Sequence, residues 1–452
     1  MTAPPPSLSS PPSVPSALFR CAAAVTPGGL ARDVDIEVTA GTISAVRPAD
    51  GRPPTETLGG VVVPGFADAH SHVFHRALRG RTYGDEQQAG SFWTWRQLMY
   101  RLAGDLDPDT FRDLALAAYT EMVCAGVTAV GEFHYLHHPP GGGRYADPNA
   151  MGLAAVDAGT AAGLAVTLLD VCYLTAGLAG EPLHPVQQRF SDGTVAAWAE
   201  RVALLPPSVR TGVAAHSVRA VPPGDLAAVA AAAAGRPVHV HVSEQPAENE
   251  ACLAATGSTP TGLLADRGLL GPATALVHAT HLTEDDVQAI GAAGCSVVLC
   301  PTTEADLADG LPRAGALAAA GARLCVGGDQ HVLTDPLAQA RGVEWGERLA
   351  TGRRGTFPAV QLLEMTTVAA HRAIGSPGGR LEVGAPADLV ELDPGSARTA
   401  GTPPESLVFS ATAADVRTVV AAGTVVARDG VHLRHGAPGP LLARAVERAW
   451  AR

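Results

Sequence analysis

The sequence predicts an α/β protein: a (β/α)8 TIM-type barrel that carries a small β-sandwich domain built from both chain ends. One observation is that short apolar runs alternate with long alanine-rich stretches between residues 64 and 374, as in repeated βα units. Another is that eight such runs are present, which is the number that closes a barrel. A third is that short β segments broken by Gly and Pro occur on both sides of this region. We therefore expect functional side chains where the barrel strands end.

The candidate strands are short runs rich in aliphatic residues. For the barrel they are residues 61–69, 127–132, 166–170, 211–215, 238–242, 274–278, 296–300 and 323–327. For the small domain they are residues 34–38, 43–46, 61–63, 387–391, 416–421 and 423–426. Residues 226–234 are nearly all alanine, which favours a helix over a low-complexity segment.

The expected domain boundaries follow from these patterns. Residues 1–16 form a Pro/Ser-rich tail that is expected to be disordered, and residues 64–374 form the barrel. Residues 17–63 and 375–435 share the small β domain, and residues 436–452 form a C-terminal helix.

The charge balance excludes two classes of partner. The formal net charge is −12, the pI is about 5.7, and no run of five basic residues occurs, so nucleic acid and anionic membranes are not expected to bind. The N-terminal segment lacks a basic start with an apolar core, and no stretch reaches the roughly 20 apolar residues of a membrane span. We expect a cytoplasmic protein.

The cysteine and lysine content argues against several kinds of active-site chemistry. The seven cysteines are scattered without a CxxC pair, so we expect buried core residues rather than disulfides or zinc-thiolate sites. The chain contains no lysine, because all 32 basic residues are arginine. This excludes Schiff-base, Walker-lysine and carbamylated-lysine chemistry.

Side chains of metal-binding and proton-transfer type end four of the barrel strands. His70 and His72 stand two residues apart, so in an extended backbone both imidazoles project to the same side. The other three strand ends supply His241 with Glu244, His278, and Asp329. Each alone has an ordinary explanation, such as a hydrogen-bonded core histidine for His278 or a helix N-cap for Asp329. Together, in one barrel, they predict a metal site.

Three histidine nitrogens and one carboxylate suit Zn²⁺, with iron as the alternative. Such an ion lowers the pKa of a bound water from about 15.7 towards 7, so hydroxide is available at neutral pH. One carboxylate must then accept a proton and another must donate one to a leaving nitrogen. Asp329 and Glu244 fit these two roles.

Longer motifs carry a resemblance to the amidohydrolase superfamily. They are PGFADAHSH, HVSEQ, LVHATH, GGDQH and, near the C-terminus, GGRLEVGAPADLVELD. The last of these resembles the segment by which such chains re-enter their small β domain. Members with two metal ions bridge them with a carbamylated lysine, so the absence of lysine implies a mononuclear, deaminase-type site.

Within that superfamily the chain resembles the formimidoylglutamate deiminase family, which acts in histidine degradation. The supporting segments are FWTWRQLMY, GEFHYLHH, AAHSVRAV, HVHVSEQPAENEAC and CPTTEADLADG. The resemblance implies a homodimer and a substrate, N-formimidoyl-L-glutamate, with two carboxylates and an amidine. Guanidinium groups are the natural partners of such carboxylates in an acidic protein.

Carried over position by position, the resemblance assigns roles to this chain's residues. The metal ligands would be His70, His72, His241 and Asp329. The proton-handling pair would be Glu244 and His278. The substrate-binding residues would be Arg96, Tyr135, His216 and Arg219. Three further histidines, His134, His137 and His138, are expected to be loop groups that support the site rather than ligands.

Two positions depart from the family pattern. His75 stands where the family has a glutamine that faces the substrate, and Gln330 stands beside Asp329 where the family has a serine. We expect His75 to alter the donors of the pocket wall and Gln330 to narrow the space above the metal. Two alternatives therefore stay open: a deaminase of another amidine, guanidine or aminated heterocycle, and a non-catalytic interaction protein on the same scaffold.

Overall fold

The structure, a computed structural model, describes residues 16–83 and 92–451, with the backbone alone described for 92–94. Residues 1–15 of the expected tail lie outside the described residues. The predicted barrel is confirmed: eight parallel strands pair in chain order from β5 to β12. These strands are β5 (Phe66–Ser71), β6 (Val127–His134), β7 (Ala165–Cys172), β8 (Arg210–Ala215), β9 (Val238–Val242), β10 (Thr274–His278), β11 (Ser296–Leu299) and β12 (Arg323–Val326).

The predicted small β domain is also confirmed, and its strands form a single hydrogen-bonded sheet. In chain order they are β1 (Ala17–Thr26), β2 (Gly29–Thr39), β3 (Thr42–Pro48), β4 (Glu56–Pro64), β13 (Leu389–Leu392), β14 (Val416–Ala421), β15 (Thr424–Arg428) and β16 (Val431–His432). β4 lies at the centre, parallel to β1 and antiparallel to β13, so the two chain ends meet there. Side chains from both ends, such as Ile36 and Leu389, share one apolar core.

The single strand expected over residues 61–69 is wrong, because the segment divides at Gly65 into β4 of the small sheet and β5 of the barrel. The Gly65 amide donates to the Asp388 carbonyl at 2.9 Å. A Cβ atom at Gly65 would lie 2.3 Å from Oγ1 of Thr128 and 2.8 Å from Cβ of Asp388. Glycine is therefore required where the chain passes between the two sheets.

Most of the helices lie between successive barrel strands, and the last four follow the final barrel strand. They are α1 (Phe92–Asp105), α2 (Pro108–Cys124), α3 (Ala150–Ala162), α4 (Val195–Ala203), α5 (Leu226–Ala233), α6 (Pro246–Thr256), α7 (Pro260–Asp266), α8 (Glu284–Ala292), α9 (Pro301–Asp306), α10 (Ala314–Ala320), α11 (Pro336–Thr351), α12 (Ala359–Thr366), α13 (Val368–Ala373) and α14 (Pro438–Trp450). Short 3-10 helices span Val73–Leu78, Pro185–Phe190, Pro404–Phe409 and Ala413–Asp415.

Among the described residues, none of the helices has the length and apolar character needed to cross a membrane. All seven cysteines are buried, as predicted.

The barrel closes between its first and last strands through a short seam. The Asp329 amide donates to the His70 carbonyl at 2.8 Å, and the His72 amide donates to the Asp329 carbonyl at 3.0 Å. Asp68 reinforces this seam, because its Oδ1 accepts from the His70 amide at 3.1 Å and from the Gly328 amide at 2.8 Å. One buried carboxylate thus joins β5 to the end of β12.

Close packing at this seam leads to a stability prediction. At Gly327 a Cβ atom would lie 2.8 Å from Cβ of His70 and 2.9 Å from its carbonyl oxygen. Gly327→Ala should therefore lower the free energy of unfolding by about 1–3 kcal/mol through overpacking. Thermal and denaturant unfolding measure this, with Gly271→Ala as the control, because no atom lies within 4 Å of a Cβ there. Equal unfolding midpoints for the two variants would contradict the close packing of Gly327 against His70.

Candidate functional site

Four predicted ligands converge where the barrel strands end. Nε2 of His70 lies 3.2 Å from Nε2 of His72 and 3.1 Å from Nε2 of His241. Oδ1 of Asp329 lies 3.4 Å from Nε2 of both His70 and His72. Ligand atoms about 2.0–2.1 Å from a tetrahedral ion lie roughly 3.3–3.4 Å from one another, so these spacings fit one metal ion. The four residues form a candidate metal site.

Hydrogen bonds hold two of the imidazoles in the ligand orientation. Nδ1 of His72 lies 3.0 Å from the Phe133 carbonyl, and Nδ1 of His241 lies 2.8 Å from the His216 carbonyl. A ring nitrogen facing a carbonyl carries the proton, which leaves Nε2 with a lone pair towards the site. Burial lowers the pKa of His72 and of His241 well below the usual value, so both rings are neutral, as ligands must be.

A buried glutamate stabilises the segment that carries the first two histidines. Glu132 on β6 accepts from Oγ of Ser71 at 2.7 Å and from the Val73 amide at 2.9 Å. Tyr119 also donates to it at 3.1 Å. Burial raises the pKa of Glu132 to about 8, although these donors oppose the shift. The HSH segment is therefore held at its middle residue, Ser71, and at Val73, the residue that follows it.

The strand ends at the site have left-handed backbone conformations. The φ angle is 51° at Ser243, 68° at His278 and 46° at Asp329. Such angles cost non-glycine residues on the order of 1–2 kcal/mol each, and they cluster at functional sites. Two of these residues face each other, because Nε2 of His278 lies 3.9 Å from Oδ2 of Asp329.

His278 lies between the carboxylates predicted to handle protons. Its Nε2 is 3.8 Å from Oε1 of Glu244 and 3.9 Å from Oδ2 of Asp329, and its Nδ1 is 3.4 Å from Oε1 of Glu304. Burial disfavours the charged ring, but Glu244, Glu304 and Asp329 together raise the pKa of His278 to about 10. For Asp329, burial acts to raise the pKa, yet the surrounding histidines, His278 first, lower it overall. The three acidic side chains thus favour the charged form of the His278 ring.

A cleft of about 660 Å³, measured with its open mouth, has three of the four convergent residues, His72, His241 and Asp329, in its lining. Every substrate-binding residue predicted from the sequence lines it: His75, Arg96, Tyr135, His216 and Arg219. The predicted proton-handling residues Glu244, His278 and Asp329 line the same cleft. The structure therefore brings the sequence-predicted site residues together in one place.

Arg219 reaches the cleft from the loop after β8 and is held by Glu248 of α6. Its Nε donates to Oε1 of Glu248 at 3.3 Å, and its Nη2 lies 3.9 Å from Oε2 of Glu244. The other oxygen of Glu248 accepts from the Glu244 amide at 3.3 Å. Burial raises the pKa of Glu248, and Arg219 opposes this shift. One buried carboxylate thus orients both a predicted substrate-binding residue and a predicted catalytic one.

Helix α1 forms one wall of the cleft and brings Arg96 to it. The Arg96 guanidinium lies over the Tyr100 ring at 5.2 Å, a cation–π arrangement. Tyr100 in turn stacks on His184, with ring centroids 5.6 Å apart. Trp95 and Met99 of the same helix also face the cleft.

The two departures from the family pattern have different structural outcomes. His75 lines the cleft, and its Nε2 lies 2.8 Å from the hydroxyl oxygen of Tyr135. Burial lowers the pKa of His75 to about 4, so the ring is neutral. The expectation that Gln330 narrows the cleft is wrong: its Nε2 donates to Oδ2 of Asp306 at 3.1 Å, and it is not among the described residues that line the cleft.

The histidine cluster expected to support the site is buried beside it. His137 lies 3.8 Å from Oδ1 of Asp170, and His138 lies 3.1 Å from Oδ1 of Asp192. Arg201 bridges both carboxylates, at 2.8 Å from Asp170 and 3.0 Å from Asp192. The ion pairs of this cluster are those of Arg201 with the two carboxylates, because burial lowers the pKa of His137 to about 4 and leaves its ring neutral. The cluster does not converge on the ligand set.

Sequence reasoning missed several residues that shape the cleft. They are Trp95, Met99, Tyr100, Tyr173, Phe190 and Leu307 in the lining, with Glu248 and Glu304 behind it. The spacing of Trp95 and Met99 at i and i+4 could have indicated a common helix face. Glu248 and Glu304 each lie in a quoted motif, but nothing in their spacing distinguishes them from exposed helix residues.

Comparison with known proteins agrees with this architecture. The model of the amidohydrolase family matches residues 61–426. A formimidoylglutamate deiminase of Pseudomonas aeruginosa is 38% identical over 427 residues, which are 90% of this chain and 94% of that protein. A 5-methylthioadenosine/S-adenosylhomocysteine deaminase of Halobacterium salinarum is 31% identical over 412 residues, 88% of each chain.

A solved structure extends the agreement to three dimensions. A crystal structure of an amidohydrolase from Brucella melitensis superimposes with a TM-score of 0.87 at 31% identity, over 96% of this chain and 99% of that one. The barrel, the convergent histidines and aspartate, and the match over residues 61–426 lead to one conclusion. The chain belongs to the amidohydrolase family.

Proposed function

We propose that the protein hydrolyses N-formimidoyl-L-glutamate to N-formyl-L-glutamate and ammonia, a step of histidine degradation. The observation that carries the proposal is that Arg96 and Arg219 line the same cleft as the metal-binding cluster. A substrate with two carboxylates and a hydrolysable amidine needs both features. The name of the relative that is 38% identical supports the same reaction.

The resident ion in this proposal is zinc, with iron as the alternative. His70, His72, His241 and Asp329 would hold it, and three imidazoles with one carboxylate are a donor set that zinc accepts. When bound, the ion would supply a water acidified towards neutral pH. Because the chain has no lysine to carbamylate, the proposal includes one ion per chain.

The proton steps are assigned to three residues that line the cleft. Oδ2 of Asp329 accepts a proton from the attacking water, and Glu244 donates a proton to the departing nitrogen. His278, charged and 3.8–3.9 Å from both carboxylates, stabilises negative charge that develops on the tetrahedral centre. Water adds to the amidine carbon, the bond to the terminal nitrogen breaks, and ammonia leaves with both protons of the water. The proton taken up by Asp329 returns to Glu244, which begins and ends the cycle protonated.

The two arginines bind the substrate carboxylates in this proposal. The chain carries a net charge of −12, so local guanidinium groups are needed to attract a substrate with two carboxylates. Tyr135 and His216 add neutral hydrogen-bonding groups to the same wall. The neutral His75, paired with Tyr135, completes the donor pattern.

The competing assignment is deamination of an aminated heterocycle. The deaminase of Halobacterium salinarum that is 31% identical favours it, since its name describes action on 5-methylthioadenosine and S-adenosylhomocysteine. Such a substrate would use the same metal ligands but would not require Arg96 and Arg219 together.

The proposal also includes a cytoplasmic homodimer, and sedimentation at twice the chain mass of 46.0 kDa would support the dimer.

Turnover is the first test. The purified, zinc-loaded protein should release ammonia from N-formimidoyl-L-glutamate, and Glu244→Gln should slow this by about 10²- to 10⁴-fold because a proton donor is lost. Metal content should be unchanged in the variant. A protein that holds one metal per chain but releases no ammonia would contradict the substrate and direct the assay to 5-methylthioadenosine.

Metal binding is the second test. Elemental analysis should find about one ion per chain, and His241→Ala should lose the ion and the activity together. The matched control is His239→Gln on the same strand, because Nε2 of His239 lies 2.9 Å from the Ala373 carbonyl and not at the cluster. Full metal occupancy in the His241 variant would rule out the ligand set.

Carboxylate recognition is the third test. Arg96→Met and Arg219→Met should each raise KM by roughly 10- to 100-fold, as expected for loss of a charge-assisted hydrogen bond. In each variant, KM should no longer rise when the substrate carboxylate that the lost arginine would bind is converted to an amide. The double variant Arg219→Met/Glu248→Gln removes the buried charge left by the single change, so it should regain stability without regaining affinity. Unchanged KM in both single variants would exclude the arginines from substrate binding.

A further inference from the structure

Arg189 is a fully buried cation that connects three separate segments of the chain. It lies in the 3-10 helix Pro185–Phe190 with 1% of its surface exposed. Its Nε donates to the His138 carbonyl at 2.8 Å, and its Nη2 donates to the Leu106 carbonyl at 2.5 Å. Its Nη1 donates to the Ala103 carbonyl. Its own carbonyl accepts from the amides of His137 at 3.0 Å and His138 at 2.9 Å.

These three segments carry much of the cleft wall. Helix α1 supplies Arg96 and Tyr100, the loop after β6 supplies Tyr135, and the 3-10 helix supplies Phe190. The Phe190 ring packs edge-on against Tyr135 at 5.0 Å and lies 6.3 Å from Tyr100. The wall is thus assembled from pieces that are far apart in sequence, and Arg189 contacts each piece through the backbone.

The physical basis of the connection is the end of α1. The carbonyls of the last turn of a helix have no partner within the helix, and the helix dipole makes this end negative. Ala103 lies in the last turn of α1 and Leu106 directly follows the helix, so a guanidinium there satisfies an open acceptor of the helix and opposes its dipole. Burial lowers the pKa of Arg189, while Tyr145, Asp105 and Asp107 act in the opposite direction.

We propose that Arg189 is a positioning residue that holds α1 and the loop after β6 in the arrangement that binds the substrate. The inference rests on the proposed function for the identity of the substrate, but not for the role of the residue. Arg189 donates to none of the four predicted metal ligands and to none of the proton-handling residues. Its loss should therefore weaken binding more than it slows the proton steps.

The matched control is Arg341, another buried arginine that donates to backbone carbonyls. Its Nη1 donates to the Val408 carbonyl at 2.9 Å and to the Ala411 carbonyl. It is 6% exposed and lies on α11, outside the set of residues that line the cleft. Arg341→Met therefore removes the same kind of contact without touching the cleft wall.

The experiment compares Arg189→Met, Arg189→Lys and Arg341→Met. For Arg189→Met we expect at least a tenfold higher KM for N-formimidoyl-L-glutamate, kcat within about threefold of the parent, and unchanged metal content. The Lys variant keeps a cation at the helix end, so its KM should lie between those of the parent and the Met variant. If the Met variant does not fold, the KM of the Lys variant is compared with that of the parent instead. A parental KM in folded Arg189→Met, or an equal rise in the Arg341 variant, would overturn the proposal.

Hydrogen exchange separates this proposal from the proposed function. Amides of α1 should exchange faster in Arg189→Met than in the parent, and at the parental rate in Arg341→Met, whatever the substrate is. If the parent protein does not turn over N-formimidoyl-L-glutamate, the proposed function fails while the exchange result still decides the role of Arg189. Unchanged exchange in α1 would overturn the positioning role.

Discussion

The closure of the barrel between β5 and β12 is the constraint on which the rest of the site depends. Three of the four predicted ligands, His70, His72 and Asp329, belong to the residues that form this seam. Asp68 crosses the seam with two amide contacts, and burial raises its pKa to about 7 although both amides oppose the shift. The geometry of the metal-binding cluster is therefore set by the same bonds that complete the fold.

Burial then divides the titratable groups of the site into two kinds. The predicted histidine ligands have low pKa values because a charged ring is poorly solvated there. His278 behaves in the opposite way, because Glu244, Glu304 and Asp329 surround it. The buried site thus combines neutral histidines that can bind a cation with one charged histidine that can stabilise an anion.

The predictable and unpredictable parts of the structure differ in their physical origin. Barrel strands such as β9 and β10 could be predicted to the residue, because aliphatic runs and terminal polar residues are local signals. The division at Gly65 could not, because it results from contacts with Thr128 and Asp388, far away in sequence. Arg189 gave no signal either, since its acceptors are backbone carbonyls, which every residue possesses. Gln330 was misjudged because position in sequence does not say which way a side chain points.

The position of β4 has a consequence for how the chain can be assembled. β4 is completed on one side by β1, which precedes it, and on the other by β13, which begins only at Leu389. During synthesis from the N-terminus, one edge of β4 therefore stays unpaired until the whole barrel has been made. Unpaired edges are templates for pairing with other chains. The segment from Leu389 onward, which supplies none of the described residues that line the cleft, therefore covers this edge only when synthesis is nearly complete.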